Sequence, residues 1–207
     1  MSVLSQLASS LGRRDETPNQ ELAAKIVATK DKSAVQELIT LLDQKNRDVQ
    51  NDCIKTLYEI GEKEPKLIAG YVIDFVKLLD SKNNRAVWGA MTALASIAAE
   101  VPDETFQALS KIMDRADNSG SVIARDYAMH ILASLATKKA YYENCMVLIQ
   151  EQLMKAPLNQ LPMYCEITAP VVAAKDKEAY RNILEDRLET IDLEAKRKRI
   201  EKVLKKL

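Results

Sequence analysis

Asp126 and His130 are the two side chains whose types and spacing come nearest to chemistry. Four residues apart on a helix, they present a carboxylate and an imidazole side by side, the arrangement of an acid–base couple or of half a metal site. A metal site needs three or four protein ligands, and no third one is evident at a matching spacing. A surface ion pair is the simpler reading, and no metal ion is expected. The three cysteines, Cys53, Cys145 and Cys165, are odd in number, scattered and without a CxxC pair, so they form neither a disulfide framework nor a zinc cluster. A nucleophilic thiol requires an activating neighbour, and none can be named. No phosphate-cradling glycine loop or catalytic motif stands out. The sequence therefore predicts no catalytic residue, no cofactor and a chain that is not an enzyme.

Composition narrows the class further. Thirty Lys and Arg balance thirty Asp and Glu over 207 residues, which gives a polyanionic partner such as nucleic acid no support from net charge. The balance is uneven, because residues 193–207, "LEAKRKRIEKVLKKL", hold seven basic and two acidic side chains. That segment reads as a solvated cap, with attraction of an acidic surface as the alternative. Charged residues interrupt every apolar run well before the roughly 20 residues of a spanning helix. The opening "MSVLSQLASSLGRRDETPNQ" lacks a basic stretch ahead of an apolar core, so it does not read as a secretory signal. A cytoplasmic location is expected. Five glycines and abundant Ala, Leu, Lys, Glu and Gln suit an all-helical chain.

What positions these residues is a repeat. "VQELITLLDQKNRDVQNDCIKTLYEIGEKEP", from Val35, aligns without a gap on "VIDFVKLLDSKNNRAVWGAMTALASIAAEVP", from Val72. Leu41, Leu42, Asp43, Leu57, Ile60 and Pro65 recur as Leu78, Leu79, Asp80, Leu94, Ile97 and Pro102. "FQALSKIMDRADNSGSVIARDYAMHILASLA" is a third copy with a longer loop over residues 115–122, and a fainter fourth joins "NCMVLIQEQLM" to "LPMYCEITAPVVAA". In the second helix of each copy, four positions align. They are Val49, Ala86, Ala124 and Leu161; Cys53, Ala90, Ala128 and Cys165; Leu57, Leu94, Leu132 and Ala169; and Ile60, Ile97, Leu135 and Val172. Spacings of four, four and three put each set on one stripe. Thr17 and Ser33 read as helix N-caps, with Gln20 and Gln36 three residues on. Pro65 and Pro102 punctuate the junctions between pairs, and Pro170 should interrupt the last second helix. Leu193, Ile200, Val203 and Leu204 should face inward from a charged terminal helix.

This pattern resembles HEAT repeats, within the wider armadillo-like group, over roughly residues 34–175. The resemblance implies an all-α fold, an α-solenoid of antiparallel helix pairs forming a single domain over residues 1–207. Residues 1–33 and 176–207 are then capping helices, because a helix pair buries its apolar stripe only by stacking on neighbours and the end pairs must differ. The arginine common after the valine-like position of HEAT repeats is replaced by Gln50, Val87 and Pro162, and only Arg125 keeps it.

At about 100° per residue, the side of each second helix opposite its stripe lies two before, two after and five after the Cys53-like position. In the first copy this face holds Asn51, Lys55 and Tyr58, and in the second Trp88, Thr92 and Ala95. Asp126, His130 and Ala133 follow in the third, and Met163, Ile167 and Pro170 in the fourth. The resemblance implies that second helices line the groove of the array. Trp88, the chain's only tryptophan, then has two readings: an anchor for a partner, or a side chain packed between repeats. The expected function is a protein–protein interaction module or scaffold that binds a peptide or a partner's helix on this face. The alternative is a HEAT-like nucleic-acid-binding protein of the DNA glycosylase kind, which Trp88 and Asp126 invite and the scarcity of basic residues on the face opposes.

Overall fold

The computed structural model describes residues 2–207, and among them every regular element is helical. The chain divides into two compact units, residues 1–125 and 126–207.

The first unit opens with a short turn of 3-10 helix, Leu4–Gln6, followed by α1 (Thr17–Thr29), α2 (Lys32–Leu41) and α3 (Arg47–Lys63). After two further 3-10 turns come α4 (Val72–Leu78), α5 (Asn84–Ile97), α6 (Pro102–Gln107), α7 (Leu109–Asn118) and the start of α8 (Val122–Ala136). Helix α3 packs on α1, α2 and α5, and α5 on α4 as well. In the second unit α8 is followed by α9 (Tyr142–Lys155), α10 (Leu161–Thr168), α11 (Lys177–Leu188) and α12 (Glu194–Leu204). There α9 packs on α10 and α11, and α12 on α10 and α11.

The predicted stripe is the core. Cys53, Leu57, Ile60, Ala86, Ala90, Leu94, Ile97, Ala124, Leu132, Leu135, Leu161 and Cys165 are all completely shielded from solvent. Removing such side chains from water is the main stabilising contribution of each helix pair. Where the stripe holds Ala or Cys, the helices meet at short range, and two glycines extend that closeness. A Cβ on Gly89 of α5 would stand 2.5 Å from Cγ1 of Ile54 in α3, and one on Gly61 of α3 would stand 2.7 Å from Cδ1 of Ile68.

Ala169 is the stripe position that stays half-exposed. Its helix has ended: α10 stops at Thr168 and gives way to a 3-10 turn over Ala169–Val171, because Pro170 has no backbone donor to continue the ladder. Pro65 and Pro102 likewise open new elements at the junctions.

Four local expectations need correction. The N-cap of α1 is Glu16, not Thr17, and the carboxylate that satisfies the Thr17 N–H is that of Asp15, 3.1 Å away. The N-cap of α2 is Asp31 rather than Ser33, its carboxylate accepting from Ala34 N at 3.0 Å. The extra residues at 115–122 lengthen α7 through Asn118, so the connection itself is only Ser119, Gly120 and Ser121, with Gly120 in the left-handed region at φ 66°. Leu193 sits outside α12 as its N-cap and is exposed, while Ile200 and Val203 are buried as expected.

Candidate functional site

In the first unit, the predicted face is built on α3 and α5. Residue Asn46 caps α3 by accepting from Asp48 N and Val49 N, which fixes where the helix starts and hence which way Asn51, Lys55 and Tyr58 point. All three are half-buried. Asn51 accepts from Nδ2 of Asn83 at 2.8 Å, and Gln50 accepts from the same nitrogen at 2.8 Å while donating to the Leu42 carbonyl at 2.9 Å. Gln50 stands where the HEAT pattern has arginine, and it still ties its helix to the end of α2 and to Asn83, the N-cap of α5.

Lys55 is caged. Its ammonium lies 2.7 Å from Glu59, 3.0 Å from Glu16 and 4.6 Å from the centre of the Tyr58 ring. Burial alone would lower its pKa, but the hydrogen bonds to Glu59, Tyr58 and Glu16 outweigh that and raise it. Burial raises the Tyr58 phenol, with Lys55 opposing the shift. This lysine is thus already neutralised by two carboxylates from its own unit.

Trp88 projects from the first turns of α5 and is half-exposed, unlike its neighbours Val87, Gly89, Ala90 and Met91, which are buried. Thr92 departs from the predicted face: it is only 6 % exposed, and its hydroxyl donates to the Trp88 carbonyl at 2.9 Å. The reason is that α5 is packed by both α3 and α4 and is apolar almost all round, so the open arc is narrower than the spacing implies. Ala95 stays half-exposed.

In the second unit Asp126 and His130 occupy α8 as the spacing requires. Asp126 is half-buried and accepts a hydrogen bond of 2.7 Å from the hydroxyl of Tyr164 on α10, a residue with no solvent exposure. His130 lies at the exposed edge of α8 with the Tyr127 ring centre 6.1 Å from its own. Desolvation by its surroundings holds the imidazole below its ordinary pKa, and the Asp126 charge pulls it partly back. The carboxylate is engaged in fastening α10, which is not the arrangement of an acid–base couple poised for turnover. Met163 and Ile167 are half-buried on α10, and Pro170 beyond it is exposed; Ala133 on α8 is buried.

The three thiols are all buried, and burial pushes Cys53 and Cys165 up to about 12 and Cys145 to about 11. A thiol so far from ionisation is no nucleophile at neutral pH. Among the described residues no group of three or more His, Cys, Asp or Glu is placed to hold a metal ion. None of their helices is long and apolar enough to cross a membrane.

The sequence reading missed the partners that immobilise these residues. Glu59, four residues after Lys55, was legible from spacing alone. Glu16, Asn83 and Tyr164 were not, since each reaches its partner from 32 to 39 residues away.

No family model and no curated protein matches the chain. Solved structures do match. An engineered protein shares 20 % identity, with a TM-score of 0.70 over 99 % of this chain and 96 % of that one. A designed armadillo repeat protein in complex with the peptide (KR)4 shares 18 %, with a TM-score of 0.71 over 92 % and 90 %. Computationally designed armadillo repeat proteins for modular peptide recognition share 18 %, with a TM-score of 0.69 over 91 % of each chain. At such identities the likeness is one of fold, and in fold the chain is an all-α solenoid of armadillo/HEAT-like helical repeats.

Proposed function

We propose that the chain is a non-enzymatic binding module that holds a peptide or a partner's helix on its second-helix faces. The observation that carries this reading is Trp88. In a helix whose other large apolar side chains are buried, the chain's only tryptophan remains half-exposed, and the helix packs on α3, which carries the half-buried Asn51 and Tyr58. An aromatic ring in that position gains more from being covered than any other side chain of the face. Asp126, His130, Met163 and Ile167 are the corresponding contacts proposed for the second unit. The designed neighbour that carries a bound peptide lends the reading support by analogy of fold alone. Duplex DNA suits the face poorly, because Lys55 is held by Glu16 and Glu59 and offers little to phosphate.

The experiment is selection of binders from a random peptide display library, followed by titration of the purified chain while its single tryptophan's emission is recorded. Selected peptides should shift that emission and should lose about tenfold or more in affinity against Trp88→Ala, as a hot-spot aromatic requires. Peptides that bind without perturbing Trp88, and bind Trp88→Ala equally well, would sink the proposal.

A further inference from the structure

Between α10 and α12 of the second unit lies an open cleft of about 370 Å³. One wall carries Ala169 and Pro170, where the proline has ended α10; the other carries Arg199, Lys202 and Lys206, with Val203 between them. Glu166 lies in the same cleft but is already paired. Its carboxylate accepts from Nε and Nη2 of Arg199 at 2.8 and 2.5 Å.

The other basic residues of α12 are spoken for, while Lys205 just beyond it is exposed but does not line the cleft. Arg197 donates to the Leu188 and Ile191 carbonyls, Lys198 pairs with Glu194, and Lys196 reaches Asn159. Lys202 and Lys206 are different: both are exposed, and among the described residues no carboxylate lies within ion-pair distance of either. Lys202 in the last turn of α12 complements the helix dipole, which accounts for its presence, and Lys206 lies just beyond that helix. The dipole does not account for a cleft beside them with an apolar opposite wall.

We propose that this cleft binds an acidic peptide segment in which carboxylates alternate with apolar side chains. Charge and shape fit: the exposed Lys202 and Lys206 and the Arg199 guanidinium line the cleft together with apolar Ala169 and Pro170. Carboxylates of the segment meet the two ammonium groups, and an apolar side chain between them lies over Ala169 and Pro170. The site shares Pro170 with the α10 part of the proposed face but does not involve Trp88, so its test stands independently of that reading.

The test is fluorescence anisotropy on the full 207-residue chain with three labelled probes. They are a repeating Glu-Val peptide, a repeating Lys-Val peptide and a single-stranded oligonucleotide of similar length. The Glu-Val peptide should bind, and binding should weaken as ionic strength rises. Lys202→Glu with Lys206→Glu should cost about tenfold in affinity. Lys138→Glu with Lys139→Glu, which changes net charge equally at exposed positions outside the cleft, should cost much less. Equal losses in the two double variants would reduce the effect to net charge and overturn the site. So would absence of Glu-Val binding at low salt, or tighter binding of the Lys-Val peptide or the oligonucleotide.

Discussion

Tyr164 donates its phenolic hydrogen to Oδ1 of Asp126 across 2.7 Å, so the carboxylate that sequence spacing assigns to His130 belongs structurally to a tyrosine on α10. The bond joins a ring without solvent exposure to a half-buried charge, conditions under which a hydrogen bond contributes more than its surface average. Tyr164→Phe should lower stability by about 1–2 kcal/mol in urea unfolding. A loss below a few tenths would mean that water replaces the hydroxyl without penalty.

Asp126 also bears on the titration of His130, the only histidine in the chain. Its pKa is depressed in the folded state by desolvation, against the pull of Asp126. A depressed folded pKa means that the unfolded chain binds the proton more readily. The neutral imidazole's contribution is therefore present above the ordinary value of about 6.5 and is lost as pH falls through the lower folded pKa. Proton NMR of the imidazole should show a midpoint below that ordinary value. Asp126→Asn should move it further down, and Tyr164→Phe, which releases the carboxylate, should move it up.

Gly89 and Gly61 differ in what an added methyl would meet. Gly89→Ala drives its Cβ into Ile54, a β-branched side chain that is 2 % exposed and has nowhere to turn. Overpacking of about 1–3 kcal/mol should exceed the gain of about 1 kcal/mol in helix propensity, and the melting temperature should fall. Gly61→Ala meets the hydroxyl end of Ser96 and the tip of Ile68, which can shift, so its loss should be the smaller of the two.

Arg187 of α11 closes the open end of α9. Nη1 donates to the Leu153 carbonyl at 2.9 Å and Nη2 to the Ala156 carbonyl at 2.6 Å, with Met154 O as a further acceptor. Lysine cannot reproduce that fork. Arg187→Lys should cost about 1–2 kcal/mol, and Arg187→Met slightly more despite similar packing volume. Equal stability of all three forms would show that the carbonyls are satisfied by solvent.

The repeat was legible because its signal is redundant. Cys53, Ala90, Ala128 and Cys165 differ in type but share smallness, and each sits at the same depth between helices. Helix ends were less legible, since Asp15, Glu16 and Thr17 all compete for one role and a single hydrogen bond decides among them. Asn118 and its neighbours have turn composition yet continue α7, a case of packing overriding local preference: Met113 and Ala116 are buried and hold that turn in the helix. Asn51, Lys55, Tyr58 and Trp88 are half-exposed, whereas Thr92 is submerged because α5 is covered on more sides than a pairwise stacking scheme supplies. The cleft beside Lys202 left no trace in spacing, as its walls come from segments some thirty residues apart.

The shielded thiols have a use outside structure. Cys53 lies in the first compact unit and Cys145 and Cys165 in the second, and none can react with an alkylating reagent until its helix pair opens. Pulsed alkylation followed by mass spectrometry would therefore time the breathing of each unit separately, with the native chain as its own stopwatch and no cysteine introduced.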